Sequence, residues 1–344
     1  MKNLKRISKN LSWLASNPIF LVKLLKNYLN MVVFRKNILR SVEIALSYKC
    51  QFKCQHCSCE NIKINGREEV TLEEIKDSIN QCTRLGALHF LITGGEPLLD
   101  DKLYDVIKYI KKKDCFSSID TNGYLLDENR IKKLKICGVN LIEISLDSHI
   151  PSEHDKFRGM KGSFNKAIEA IKLCKEHKIP CVISTLVTKE KIKNRNIPKI
   201  INLAKKMEIQ INFCYPVPTG RWSKNYKEIL NKSDWEEVKK FQENPFVRSC
   251  EQNNYLSKGC SAGKEKIGIT AYGDVIPCPL IQVSFGNVRE EPISKIWKSM
   301  HNNKYFCGKN SGNPCLPASN KQFIDKYIGV GNKKSPKIIG KRND

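Results

Sequence analysis

The stretch Val42–Cys57, VEIALSYKCQFKCQHC, reads as a short buried strand running directly into a loop with three cysteines. Val42–Ser47 has the length and apolar content of a strand buried on both faces. Cys50, Cys54 and Cys57 then follow, separated by three and two residues. Three thiolates so close together can wrap a metal cluster, and an iron–sulfur cube held by three cysteines keeps one iron open to an outside ligand. A zinc site would more naturally offer two Cys-x2-Cys knuckles or a Cys/His pairing.

Outward from this strand, apolar runs alternate with helical patterns. Further strands are expected at 87–93, 116–121, 140–146, 180–187 and 209–214, with helices near 71–86, 101–113, 127–137, 163–178 and 196–207. Thr71 with Glu74, Asp127 and Ser163 are the expected helix N-caps. Gly86 and Gly138 stand where helix C-caps belong. Six βα units in series predict a parallel sheet with helical crossovers, and such sheets carry their chemistry at the carboxyl ends of the strands. Pro216, Pro218 and Gly220 then break the rhythm. Residues 221–320 are rich in Cys, Gly and Pro, with one short helix expected near 291–302.

Composition narrows the class. A chain of 344 residues has room for one large catalytic domain and a smaller one. Fifteen cysteines is an odd count, and no small-residue cleavage site follows a clean apolar run near Met1. Both points argue against a disulfide framework and for a reducing compartment, the cytoplasm or the inner face of the membrane. The formal charge is +25, but the lysines are spread along the chain and no aromatic RNA-binding stretch accompanies them, so a nucleic-acid partner is not expected. The run Ile19–Phe34 is short for a membrane span and holds Lys23 and Lys26. It suits a helix packed on the barrel, or peripheral contact of residues 1–36 with an anionic membrane surface.

The cysteine loop resembles the Cys-x3-Cys-x-aromatic-Cys signature of the radical S-adenosylmethionine (SAM) superfamily, with His56 in the aromatic slot. Thr93–Leu99, TGGEPLL, resembles that family's GGEP loop. The resemblance implies that Gly94 and Gly95 let the backbone approach SAM and that Glu96 holds its amino group. By the same resemblance Ser145 and Asp147, in the strand end ISLDS, approach the ribose. Arg158, in HDKFRG, would pair with the SAM carboxylate, and the backbone at Leu186 and Val187 would meet the adenine. The implied fold is α/β: a partial (β/α)6 barrel of the radical SAM type with a smaller C-terminal cysteine-bearing domain. Its divisions would be a basic helical extension (1–40), the barrel (41–218), the auxiliary domain (219–320) and a basic tail (321–344).

Gly259–Leu280, GCSAGKEKIGITAYGDVIPCPL, resembles the SPASM/Twitch extension, with Cys260 and Cys278 at the two ends of a hairpin. A full SPASM domain continues with Cys-x2-Cys-x5-Cys-x3-Cys. Here only Cys307-x7-Cys315 follows. The implied content is one auxiliary [4Fe-4S] cluster on Cys260, Cys278, Cys307 and Cys315, with Cys250 as the substitute ligand.

The implied activity is reductive cleavage of SAM at a [4Fe-4S] cluster on Cys50, Cys54 and Cys57. The resulting 5′-deoxyadenosyl radical takes a hydrogen atom from substrate, and the electron comes from a donor such as flavodoxin or ferredoxin. No further catalytic residue is assigned. The expected substrate is a peptide, modified oxidatively. Alternatives are a small alcohol or aminocyclitol that is dehydrogenated, or a membrane-associated substrate. A structural iron–sulfur or zinc-binding protein is the non-enzyme alternative.

Overall fold

The computed structural model describes residues 14, 16–64, 66–223, 225–249, 259–303, 305–306, 315–328 and 337–338. Each expected strand forms: β1 (Ser41–Ala45), β2 (His89–Thr93), β3 (Phe116–Thr121), β4 (Leu141–Ser145), β5 (Cys181–Leu186) and β6 (Gln210–Cys214). They lie side by side in chain order, all parallel. Between them run α2 (Leu72–Arg84), α3 (Leu103–Lys112), α4 (Glu128–Cys137), α6 (Ser163–Glu176) and α8 (Asn196–Lys206), while α1 (Pro18–Val32) precedes β1. The shorter α5 (Pro151–Arg158) follows β4 and α7 (Lys189–Lys193) follows β5.

The helix ends follow local chemistry. Thr71 and Glu74 close a reciprocal capping box, and Asp127 accepts from the Arg130 amide. Gly138 ends α4 at a φ of 90°, which a residue without Cβ adopts cheaply. Ser163 does not cap α6 from outside as expected; it is the first residue of the helix. Asp155, from α5, does the capping, accepting from the Gly162 and Phe164 amides and the Ser163 hydroxyl. One carboxylate with two oxygens answers three orphan donors that a hydroxyl could not.

The sheet continues beyond β6. β7 (Val247–Ser249) pairs parallel with β6 on one side. On the other side β8 (Lys266–Ile269) pairs parallel with β1, and β9 (Val275–Ile276) completes an antiparallel hairpin with β8. The C-terminal hairpin is therefore an edge of the main sheet. α9 (Lys232–Gln242) packs against β7 at the far edge, and α10 (Ile293–His301) against α2. The sheet of nine strands keeps β7 and β9 as its two edges and so forms a partial barrel.

Alternation along the strands separates two environments. Val42, Ile44, Phe90, Ile92, Ile119, Ile142, Ile144, Ile183, Ile211 and Phe213 are buried under the helices. The intervening positions include Glu43, His89, Ser118, Asp120, Glu143, Ser145, Ser184, Asn212 and Cys214, alongside the apolar Leu91, Phe116, Val182 and Leu186. The inner face is thus mostly polar, unlike the branched apolar packing that fills a closed (β/α)8 barrel.

Candidate active site

The loop carrying Cys50, Cys54 and Cys57 leaves the carboxyl end of β1, and all three cysteines are partly exposed. Glycines from three other segments hold it. A Cβ on Gly94 would lie 2.2 Å from the Ser47 carbonyl oxygen, and one on Gly95 the same distance from that of Lys49. A Cβ on Gly159 would come within 2.5 Å of the Lys53 carbonyl oxygen, and one on Gly220 within 2.0 Å of that of Cys57. Hydrogen bonds finish the clamp: the amides of Gly95, Glu96 and Arg221 donate to the carbonyls of Ser47, Lys49 and Cys57, and the Gln55 amide donates to that of Phe157. Arg221 also sends its guanidinium to the Cys54 carbonyl (3.2 Å) and to Glu60 (3.0 Å). Gly220 stood out in the sequence only as a chain break, and nothing there marked Arg221.

Glu96 is buried at the end of β2. Its Oε1 accepts from Thr121 Oγ1 (2.7 Å) and its Oε2 from the Asn122 amide (2.8 Å), which locks the GGEP loop to the end of β3. Burial pushes its carboxyl up to about 7 despite these bonds. Asn122 Nδ2 and Asp120 Oδ1, beside it in the chain, are buried without a hydrogen-bond partner. His56 stacks on Phe157, with centroids 4.6 Å apart, and Trp222 stands edge-on to it.

Asp147 was expected at the ribose, but its side chain is fully buried and committed. Oδ1 accepts from the Leu186 amide (2.8 Å) and Lys191 Nζ (2.9 Å), and Oδ2 from Arg158 Nε (2.7 Å). Burial alone would raise this carboxyl, yet Arg158 and Lys191 hold it well below the usual range. Asp147 therefore sets the position of Arg158, whose guanidinium also interacts with Cys54. Lys191 was not anticipated; TKEKIK carries no signal beyond a surface helix. Ser145 is half-buried on the inner face, level with Ser184 of β5.

Cys260 precedes β8 and Cys278 follows β9, so the hairpin returns both to the end of the sheet opposite Cys50, Cys54 and Cys57. The two interact electrostatically, and burial pushes Cys278 up to about 12. Cys315 is buried at the start of a short helix, Leu316–Ser319. Cys250 and Cys307 lie outside the described residues.

The donor set suits iron–sulfur chemistry. Soft thiols sit on a loop whose backbone is fixed by three other segments, with a cationic guanidinium at Cys54. Profile comparison matches residues 44–204 to the radical SAM superfamily and residues 260–321 to the SPASM iron-sulfur cluster-binding domain. The chain belongs to the radical SAM superfamily.

Relatives of this radical SAM protein include the AdoMet-dependent heme synthase of Methanosarcina barkeri, 26% identical over 294 residues, 76% of this chain and 83% of the relative. The Fe-coproporphyrin III synthase of the same organism is 29% identical over 311 residues, covering 79% and 77%. Among solved structures, Streptococcus suis SuiB bound to its precursor peptide SuiA superposes with a TM-score of 0.62 at 17% identity, over 79% of this chain and 67% of SuiB. The protein is an enzyme that uses SAM, a [4Fe-4S] cluster and an auxiliary iron–sulfur site. The non-enzyme reading is thereby set aside.

Proposed function

We propose that this radical SAM enzyme oxidatively modifies a peptide held on the polar inner face of the sheet. The observation that carries the reading is the position of that face between two thiol sites. Cys50, Cys54 and Cys57 stand at its carboxyl end and Cys260 and Cys278 at the other. Between them Asp120 and Glu143 are register partners on β3 and β4, Glu43 pairs with Lys266, and Asn212 donates to Glu143 (3.1 Å). Burial first, then the neighbouring carboxylates Glu143 and Glu43, push the Asp120 carboxyl far up. Such a surface offers donors, acceptors and both charges to a polar chain. A wholly apolar substrate would bury those groups unpaired, at a cost.

When bound, SAM and its cluster would supply a 5′-deoxyadenosyl radical, which would take the hydrogen atom of a substrate C–H bond and become 5′-deoxyadenosine, leaving a substrate radical to give one electron to the auxiliary cluster. The chain's part is to cage the cysteine loop, orient SAM through Gly94, Gly95, Glu96, Ser145 and Arg158, and exclude water. Cys50, Cys54 and Cys57 would hold the first cluster. Cys260, Cys278 and Cys315 would hold the auxiliary one, together with Cys307 or Cys250. A small acidic electron carrier such as flavodoxin or ferredoxin suits the net charge of +25.

A second reading, an iron porphyrin substrate, is favoured by the names of the two Methanosarcina barkeri relatives. The reconstituted, reduced enzyme separates the two. If a peptide library raises 5′-deoxyadenosine release and yields peptides lighter by a pair of hydrogens, while Fe-coproporphyrin III does neither, the first reading stands. The reverse pattern sinks it.

A further inference from the structure

Helix α1 has two faces of opposite character. Its inner face is fastened to the body: Phe20 and Leu24 pack on the core, and buried Asn27 donates to the Gly86 carbonyl (2.7 Å). Lys23 Nζ donates to the Lys113 carbonyl (2.7 Å) and pairs with Asp114. The outer face carries Ile19, Val22, Leu25, Leu29 and Val32, each more than half exposed (52–65%), and Val33 and Phe34 continue it at 60%. These positions recur at intervals of three and four and form one stripe. A folded chain rarely leaves that much apolar side chain in one strip facing water without an occupant.

Charge identifies the occupant. Residues 1–36 contain no Asp or Glu but hold Lys2, Lys5, Arg6, Lys9, Lys23, Lys26, Arg35 and Lys36. Lys26, Arg35 and Lys36 are exposed around the apolar stripe. The surroundings are basic for a topological reason. In a parallel βα sheet every crossover helix ends at the amino ends of the strands, and lysines near helix C-termini complement the dipole. Lys111, Lys112, Lys135, Lys175, Lys205 and Lys206 collect at that end, against Asp114, Glu176 and Glu208. α1 touches this end, at Gly86 before β2 and at Lys113 and Asp114 before β3. An apolar stripe rimmed by cations and backed by a basic face matches an interface whose interior is hydrocarbon and whose surface is anionic.

We propose that α1 is an interfacial helix that docks the enzyme on an anionic phospholipid bilayer. No described helix is long and apolar enough to cross a membrane, and α1, at 15 residues, would lie in the plane. Because α1 sits at the amino ends of the strands, docking turns the cysteine loop at the carboxyl ends away from the lipid. Membrane contact on this face thus serves location and not delivery of a lipid substrate to the site.

The test is vesicle co-sedimentation of the full chain, with phosphatidylglycerol/phosphatidylcholine vesicles against phosphatidylcholine alone. The comparison variant is V22N/L25N/L29N, whose side chains touch solvent in the folded protein; unchanged circular dichroism and melting verify its fold. The expected result is binding to the anionic vesicles only, weakened by salt, with the variant partitioning at least about tenfold less. Equal binding to neutral vesicles, no binding by wild type, or equal binding by the variant overturns the proposal. Wild-type self-association that the variant abolishes, without vesicle binding, also overturns it and assigns the stripe to a second copy of the chain. SAM cleavage measured without vesicles is expected to be the same in both proteins, so the result is independent of the substrate reading.

Discussion

Gly220 and Cys57 lie far apart in the chain, yet the backbone of one is shaped around the other: a Cβ on Gly220 would lie 2.0 Å from the Cys57 carbonyl oxygen.

 Gly220 holds a φ of +61°, so any side chain there meets both backbone strain and the wall of the cysteine loop. Gly220→Ala is expected to displace the loop and to lower iron bound after anaerobic reconstitution, read as iron and sulfide per chain. Gly162→Ala is the control. It has a similar φ of +79° but nothing within 4 Å of its Cβ, so it should lose only the roughly 1 kcal/mol of strain and keep its iron.

Cys54→Ala is expected to abolish release of 5′-deoxyadenosine from SAM. Cys278→Ala should instead leave cleavage in place while lowering iron content by the auxiliary share. Unchanged iron in the second variant would remove Cys278 from the ligand set.

Asp147 is the only carboxylate bonded to Arg158 and Lys191 among the described residues. Asp147→Asn leaves two buried cations without their counter-charge and should cost about 3–5 kcal/mol in urea unfolding. The pH dependence has a definite sign. A carboxyl depressed in the folded state contributes stability fully above the unfolded pKa of about 3.9, and that contribution is lost as pH falls toward and through the folded value. The gap between wild type and variant should therefore narrow on acidification below about pH 4.

Glu96 titrates the other way. Its carboxyl is raised to about 7 in the folded chain. The folded state keeps a proton that the unfolded chain releases near pH 4.3, so stability falls as pH rises between those values. Glu96→Gln cannot ionise. Unfolding free energies of the cluster-free proteins from urea melts between pH 4 and 8 should move in favour of the variant by about 3–4 kcal/mol, and a constant difference would refute the shift.

Asp120→Asn tests the inner face. It should leave SAM cleavage without substrate near the wild-type level and lower product per SAM consumed by about tenfold or more, which separates substrate positioning from SAM handling. Proportional loss of both activities would return Asp120 to the SAM side.

The order of strands and helices was legible in the sequence because each is a local pattern. Val42, Ile44, Phe90 and Ile92 read as strand whatever they later touch, and Thr71 with Glu74 cap a helix through bonds three residues apart. The cysteine spacing and the GGEP and HDKFRG segments were equally local, and they named the superfamily. Partnerships across the chain were not legible. Asp147 reads as a strand-end residue near the ribose, and only folding brings Lys191 and Arg158 to its two oxygens. Gly94 reads as a close approach to SAM, Gly159 as part of HDKFRG and Gly220 as a break in the rhythm, and only the assembled loops reveal that each leaves room for the same cysteine loop. The joining of β8 to β1 is a pairing more than 200 residues apart that no periodicity encodes. The outer stripe of α1 could be read as core or as surface until the tertiary structure packed Phe20, Leu24 and Asn27 against the body and left Val22, Leu25 and Leu29 in the open. Short-range hydrogen bonding and hydrophobic period are written residue by residue, whereas which groups meet, and which face stays uncovered, depends on how all the elements pack at once.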